Sequence, residues 1–185
     1  MKKTQILCEC AVMTAMSIAF SFIKLIRMPL GGSVTLVCML PVMLIAVRQG
    51  LKWGLASSGI FAVFQLVQSI ASGNVFPYCY TTATFIICVV FDYIVPFGAL
   101  GFAGFAHGKS KKAVIGVCAG LIVLRFICHF ITGVFVWGQW AEGMSVYLYS
   151  LLYNAQYMLP ELVLTLAVLS LLLAAKPIAK IVLNK

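Results

Sequence analysis

The sequence contains few acidic residues and little charge of either sign. Only four of its 185 residues are Asp or Glu, and charged residues of both signs make up 9% of the chain. A soluble domain has roughly 25% charged residues, so this composition excludes an ordinary soluble protein. Hydrophobic residues instead make up 63% of the chain, and the mean hydropathy is +1.10. These values indicate an integral membrane protein.

Motifs that would carry catalysis or hold a metal are also missing. The sequence has no HExxH motif, no GxSxG nucleophile elbow and no GxxxxGK[ST] phosphate-binding loop. Cys8 and Cys10 have the wrong spacing for a zinc site, and most of the seven cysteines lie in apolar segments. We therefore predict a protein that is not an enzyme and has neither metal nor cofactor. Any ATP hydrolysis must come from a partner.

Basic residues dominate the few charges and give a net charge of +9. Ten of the thirteen basic residues lie near alternate ends of the apolar segments. If each segment crosses the membrane, these ends all fall on the same side. These ten are Lys2, Lys3, Arg48, Lys52, Lys109, Lys111, Lys112, Lys176, Lys180 and Lys185. Short loops rich in Lys and Arg remain in the cytoplasm, so both termini are predicted to be cytoplasmic. The spread of charge favours contact with anionic membrane lipid over nucleic acid.

A helix of about 20 apolar residues crosses the hydrocarbon core of a bilayer. The sequence offers six candidate spans, at about 4–26, 34–49, 51–71, 83–106, 113–134 and 149–175. The second is short and contains Pro41, so we expect it to be tilted, kinked or displaced. The prediction is an all-α integral membrane protein, in which residues 1–185 form a single domain and a single bundle of six transmembrane helices.

A row of small side chains lies along the first span. Ala11, Ala15 and Ala19 follow one another at four-residue spacing and therefore share one helix face. In a bilayer such faces allow another helix to approach closely. Two partners are possible: another helix of the same bundle, or a helix of a different protein.

Asp92 lies in the middle of the fourth span, where a carboxylate is costly. A charged side chain at the bilayer centre costs about 3 kcal/mol or more, so Asp92 needs a partner. Both Arg125 of the fifth span and a bound ligand are candidates. Glu161 in the sixth span poses the same question, whereas Glu9 lies near the cytoplasmic end and could reach lipid headgroups.

The fifth span carries polar and aromatic residues along one flank. Arg125, His129, Gly133 and Trp137 follow one another at four-residue spacing, with His129 and Trp137 in the outer half. A single histidine in an apolar helix is often an ordinary buried side chain, so that alternative stands beside ligand binding. Because Gly133 has no side chain, it is expected to leave room for something flat between His129 and Trp137.

The start of the sixth span adds aromatic and amide groups to this outer half. Tyrosines are common at the membrane interface, so Tyr149 also has that simpler explanation. Aromatic faces attract a cation, and a carboxylate neutralises its charge, so we predict a pocket for a flat, partly cationic small molecule. The predicted substrate-binding residues are Asp92, Tyr93, His129, Trp137, Tyr149 and Asn154, with Tyr78, Tyr80 and Gly133 as a possible lid or wall.

These residues resemble a known family over nearly the whole chain. The matching motifs are Ala11-xxx-Ala15-xxx-Ala19, Asp92-Tyr93 followed by Pro96-Phe97-Gly98, Arg125-xxx-His129-xxx-Gly133-xxx-Trp137, and Tyr149-xxxx-Asn154 followed by Tyr157-Met158-Leu159-Pro160-Glu161. The chain is similar to the ThiT family, the thiamine-specific S components of energy-coupling-factor (ECF) vitamin transporters.

The resemblance implies a function and a set of partners. Members capture thiamine from outside a prokaryotic cell and dock through the alanine face on a transmembrane coupling protein of the EcfT type. Two cytoplasmic ATPases of the EcfA type power the cycle. Asp92 would then balance the thiazolium charge beside Tyr93, while His129, Trp137, Tyr149 and Asn154 would stack on the rings or bond to them.

One departure from the family concerns the first outer loop. Met28 to Ser33 contains no aromatic residue, although this loop often supplies an aromatic lid in the family. The alternative function is an S component, or a solitary proton-coupled carrier, for another small cationic heterocycle such as a thiamine precursor.

Overall fold

The structure is a computed structural model that describes residues 2–28, 32–73 and 75–183. Within these ranges, five helical segments are long and apolar enough to cross a membrane. They are α1 (Lys3–Phe22), α3 (Leu51–Ser72), the segment Thr82–Ala106, α6 (Lys111–Phe135) and α7 (Val146–Ala174). Their positions agree with five of the six predicted spans.

The predicted count of six transmembrane helices is not confirmed, because the second segment contains only a short helix. Helix α2 (Leu40–Gln49) has 10 residues, which at 1.5 Å per residue cover about 15 Å, roughly half of the hydrocarbon core. Its residues from Leu40 to Val47 are all buried, and it packs against α1, α3 and Ala99–Ala106. The segment that was expected to be tilted, kinked or displaced is thus a short helix buried in the core of the bundle. The cytoplasmic position of both termini stays a prediction.

The first span ends earlier than predicted because the chain turns into a β-hairpin. Strand β1 (Lys24–Arg27) pairs antiparallel with β2 (Ser33–Thr35). Residues 29–31, part of the outer loop singled out from the sequence, lie outside the described residues. Beneath the hairpin, the backbone N–H and the hydroxyl of Thr35 donate to the two carboxylate oxygens of Glu161, each at 2.7 Å. Glu161 therefore ties the hairpin to α7.

The segment Thr82–Ala106, here called the composite span, is not a regular helix. It consists of α4 (Thr82–Cys88), a π-helix (Val89–Ile94), α5 (Val95–Gly98) and a 3₁₀-helix (Ala99–Ala106). Pro96 has no N–H to donate to the carbonyl of Asp92 four residues earlier, so the α-helical ladder cannot continue unchanged through this point. The wider π-helical turn carries Asp92, and such turns occur frequently at functional sites.

The bundle is completed by the short C-terminal helix α8 (Lys176–Leu183), which packs against α2 and α7. Near it, the side chains of Arg48 and Gln49 at the end of α2 bond to the carboxylate of Glu9. Glu9 is therefore held by the protein and does not reach out to lipid headgroups.

The alanine row of α1 faces away from the bundle. Ala11, Ala15 and Ala19 are all exposed, whereas the buried residues of this helix are Cys10, Thr14, Ser17 and Ser21. Packing within the chain's own bundle was one of the two alternatives, and the structure excludes it.

Candidate functional site

A cavity of about 650 Å³ opens between the hairpin, α3, the composite span, α6 and α7. This volume lies in the range that holds small organic ligands. Five of the six predicted substrate-binding residues line it: Asp92, Tyr93, His129, Trp137 and Asn154. Residues from the fourth, fifth and sixth predicted spans therefore lie around one cavity.

One alternative was that Asp92 pairs with Arg125, but the two side chains are not in contact as an ion pair. Asp92 Oδ1 accepts a hydrogen bond from the hydroxyl of Thr132 and lies 2.8 Å from Nδ1 of His129. Arg125 Nε donates to Nε2 on the other side of the same imidazole, at 3.2 Å. Since Nε2 accepts, the ring proton sits on Nδ1, and it is donated to Asp92. The imidazole is thus neutral and does not balance the charge of the Asp92 carboxylate.

The guanidinium of Arg125 is stabilised largely by groups that carry no charge. It lies 4.5 Å from the centroid of the Phe97 ring, and its Nη1 is 3.0 Å from the sulfur of Met39. Two buried carboxylates, Asp92 and Glu161, accompany this one buried guanidinium. Of these two carboxyl groups, Asp92 lines the cavity, where its carboxylate can attract a cationic ligand.

Aromatic rings form much of the cavity wall. Trp137, Tyr93, Tyr153 and Tyr157 all line it. Tyr149 is not among the described residues that line the cavity, but its ring stacks on that of Tyr153 with centroids 6.0 Å apart. Tyr149 therefore supports the cavity wall by packing against Tyr153.

Asn154 and Gly133 serve to join α6 to α7. The amide nitrogen of Asn154 donates to the carbonyls of Ser150, at 2.8 Å, and His129, at 3.2 Å, and its oxygen accepts from the Tyr157 hydroxyl. A Cβ on Gly133 would meet the side chain of Ser150. The space assigned from the sequence to a flat ligand is therefore occupied by α7, and that interpretation of Gly133 was wrong.

The connection between α3 and α4 places the two candidate tyrosines, Tyr78 and Tyr80, differently. The Tyr78 ring packs against Trp137 and Trp140, with centroids 6.0 and 5.6 Å away, so it supports a cavity-lining tryptophan from behind. Tyr80 is 72% exposed. Between them Cys79 reaches back to α4, where its sulfur lies 3.4 Å from that of Cys88.

Sequence reasoning missed the cavity wall formed by α3. Gln65, Gln68, Ser69 and Ser72 all line the cavity, and Ser69 shares a hydrogen bond with the Tyr93 hydroxyl. Their spacing of three and four residues places them on one helix face. A polar face on an otherwise apolar span is the signal that could have revealed them.

Comparison with known proteins agrees with this arrangement. A family model described as "Thiamine transporter protein (Thia_YuaJ)" matches residues 7–181. This chain belongs to the thiamine transporter family. A Bacillus subtilis (strain 168) protein named "Thiamine transporter ThiT" is 33% identical over 186 residues, which cover 92% of this chain and 91% of the relative. A protein of the same name from Lacticaseibacillus paracasei is 26% identical over 196 residues, 95% of this chain and 90% of that one.

The fold also matches a solved member of the family. The structure of ThiT from Listeria monocytogenes superposes with a TM-score of 0.70 at 25% sequence identity, covering 96% of this chain and 97% of that one. With its apolar helical segments, the chain is a multi-pass protein of the bacterial cell membrane. Its relatives are named transporters and not enzymes.

Proposed function

We propose that this chain is the substrate-binding membrane subunit, or S component, of an ECF-type importer and that it captures thiamine from outside the cell. The names of the relatives support thiamine as the ligand, and the cavity has the chemistry that this ligand needs. Thiamine has two flat heterocycles and one permanent positive charge.

The observation that carries the proposal is a charged carboxylate at the wall of an aromatic cavity. Asp92 is buried and accepts hydrogen bonds from His129 and Thr132. Arg125 bonds to His129 and not to Asp92, so nothing in these contacts balances the charge of the carboxylate. A cation that enters the cavity gains the attraction of this charge in surroundings that screen it weakly. Asp92 would balance the thiazolium, with Tyr93 and His129 beside it.

Each of the remaining site residues would contact the ligand, position a residue that does, or do both. Trp137 lines the cavity and would stack on a ring of the ligand. Asn154 would hold the Tyr157 hydroxyl in place while its own side chain lines the cavity. Tyr149 would act through the ring of Tyr153, on which it stacks.

The exposed alanine row supports docking on a partner. Three small side chains on the outer face of α1 let a second transmembrane helix approach closely. We assign this face to a coupling protein of the EcfT type, which in turn would contact two cytoplasmic EcfA-type ATPases. The sequence has no phosphate-binding loop of its own, in keeping with this division of labour.

Titration calorimetry of the purified full chain in detergent tests the substrate and the pocket together. We expect one-to-one binding of thiamine, weakened about 10- to 100-fold in Asp92→Asn, because a hydrogen bond or ion pair to a charged group contributes about 1.5–3 kcal/mol. The uncharged pyrimidine half of thiamine should lose far less. Glu142→Gln removes the same charge from an exposed outer loop and is the matched control.

Two results would contradict the proposal in different ways. Equal weakening of thiamine and its pyrimidine half in Asp92→Asn would remove the charge-pairing role. Absence of binding heat with wild-type protein, together with unchanged tryptophan fluorescence, would point to a different small molecule.

A further inference from the structure

Two cysteines that take no part in the proposed ligand site lie side by side. The sulfur of Cys79, in the connection between α3 and α4, is 3.4 Å from the sulfur of Cys88 at the end of α4. Both thiols are free; Cys88 is buried and Cys79 is half-buried. The sulfurs of a disulfide are about 2 Å apart, so a small movement separates this pair from a covalent bond.

Spacing along a helix separates two other candidate pairs. Cys8 and Cys10 are two residues apart on α1, which turns their side chains about 200° away from each other. Cys118 and Cys128 are ten residues apart on α6, about 15 Å along the helix axis. Neither pair can close a disulfide within its helix.

The segment that leads into α4 supports two walls of the cavity. The Phe76 ring packs against Tyr93, with centroids 5.8 Å apart, and the Tyr78 ring packs against Trp137 at 6.0 Å. Tyr93 and Trp137 both line the cavity. Residues 76–79, here called the brace, therefore hold an aromatic side chain of the composite span and another just beyond α6.

A bond between the two sulfurs would fix the brace to the composite span. The brace ends at Cys79, whose N–H donates to the carbonyl of Phe76 within the brace itself. Cys88 directly precedes the π-helix (Val89–Ile94) that carries Asp92. It also belongs to the same buried apolar cluster as Trp137. The covalent link would therefore join the brace to the part of the composite span that lies beside the cavity.

The predicted topology places this pair outside the cell. Helix α3 begins next to the basic residues Arg48 and Lys52, and that end is predicted to be cytoplasmic. The brace follows the other end of α3. Disulfides form and persist outside the cytoplasm, whereas cytoplasmic thiols are kept reduced, so the predicted location permits oxidation.

We propose that Cys79 and Cys88 form a reversible disulfide that fixes the brace to the composite span, with a small disulfide as the oxidant. The thiolate of Cys79, the more accessible partner, attacks one sulfur of the oxidant and expels a first thiolate, which leaves a mixed disulfide. The thiolate of Cys88 then attacks the Cys79 sulfur and expels the second thiolate. The two protein thiols give up two electrons and two protons, and the oxidant leaves as two thiols.

Alkylation of the full chain in detergent, counted by intact mass, tests whether the bond forms. The starting protein carries Cys8→Ser, because Cys8 is exposed and would react on its own, and the oxidant is hydroxyethyl disulfide. After oxidation and unfolding we expect the protein to take up two fewer alkyl groups, without retained oxidant mass. A dithiol reductant should restore both. Adding Cys79→Ser should abolish the loss, whereas adding Cys10→Ser leaves the pair intact and should retain it.

Hydrogen exchange tests whether the bond fixes the brace. In the starting protein we expect the amides of residues 75–81 to exchange more slowly after oxidation and to recover with reductant, while α6 stays unchanged. With Cys79→Ser added, the oxidant should have no effect on these amides. Neither measurement uses a ligand, so the outcome does not depend on the proposed function.

Three results would overturn the inference. Full alkylation after treatment with the oxidant would show that the two sulfurs do not bond. An oxidant adduct that remains on Cys79 would show that Cys88 cannot reach it. A bond that leaves exchange in residues 75–81 unchanged would show that it does not fix the brace. All three are read from the starting protein, so they hold even if Cys79→Ser fails to fold.

Discussion

At the scale of single residues, the site depends on a few side chains that hold others in place. Arg125 donates to His129, which donates to Asp92; Asn154 holds Tyr157. Each member of these chains fixes the orientation of the next. The carboxylate and the rings that face the cavity are therefore positioned before a ligand arrives, which lowers the entropic cost of binding.

Gly133 gives a direct test of how closely α6 and α7 must pack. In Gly133→Ala the new Cβ would lie 2.8 Å from Cβ of Ser150 and 3.1 Å from the Asn154 amide nitrogen. We expect the free energy of unfolding to fall by about 1–3 kcal/mol, the usual cost of overpacking. Thermal unfolding in detergent measures the change.

The same helix supplies the control for that substitution. Gly120→Ala adds a Cβ with nothing within 4 Å, so it should leave stability unchanged or raise it slightly, since alanine favours helix. Equal melting temperatures for the two variants would mean that the close approach at Gly133 is not required.

At the scale of elements, two side chains of α7 hold the β-hairpin: the buried carboxylate of Glu161, and the hydroxyl of Tyr153, which accepts from the backbone N–H of Gly32 at 3.2 Å. Glu161, 2% exposed, receives both of its hydrogen bonds from Thr35 at the end of β2. Residues of this hairpin line the cavity, so the position of the cavity mouth depends in part on an anchor that lies deep between helices.

Thr35→Val should loosen the hairpin without unfolding the bundle. The substitution removes the hydroxyl that donates to Glu161, and a hydrogen bond to a charged group contributes about 1.5–3 kcal/mol. We expect faster hydrogen exchange in residues 24–28 and 32–35, with α6 unchanged. Thr4→Val, exposed on α1, is the control. Unaltered exchange in the hairpin would show that the hydroxyl bond to Glu161 does not hold it in place.

At the scale of the whole molecule, the cavity and the alanine row lie on different parts of the surface. The cavity is enclosed by the hairpin, α3, the composite span, α6 and α7, while the exposed alanine row lies on α1. Helix α1 contributes to the cavity only at its outer end, through Ser21 and Phe22. A change in the middle of the alanine row should therefore affect docking and spare ligand binding.

Ala15→Trp separates these two tasks. The indole would hold an approaching helix away, so thiamine uptake by cells that depend on this chain should fall more than tenfold. Calorimetric binding of thiamine by the purified variant should match wild type. Val163→Trp, which places the same side chain on an exposed position of α7, should retain uptake. A parallel loss of binding, or full uptake by Ala15→Trp, would contradict docking through this face.

Features that follow from hydropathy, or from the energetic cost of a charged group in an apolar segment, could be predicted from the sequence. The spans follow from hydropathy, and Asp92 drew attention because a carboxylate in an apolar segment needs a partner. His129 and Trp137 followed because helical spacing places them on the same flank. Each of these arguments depends on one helix at a time.

Features set by contacts between helices could not be predicted in the same way. Hydropathy does not reveal that residues 34–49 divide into a strand and a short buried helix, since both are apolar. The sequence does not say which helix faces Gly133, nor which tyrosines of α7 point inward. Tyr153 and Tyr157 line the cavity, yet in the sequence they look like the interfacial Tyr149.

The short helix α2 also has a consequence for how the protein is made. Ten residues are too few to hold a segment across the bilayer during insertion, and α2 precedes most of the helices that enclose it. Its place becomes favourable only once α3 and the composite span have entered the membrane and closed around it. We therefore expect the protein to assemble in a fixed order, in which α2 reaches its buried position after the surrounding helices have inserted into the membrane.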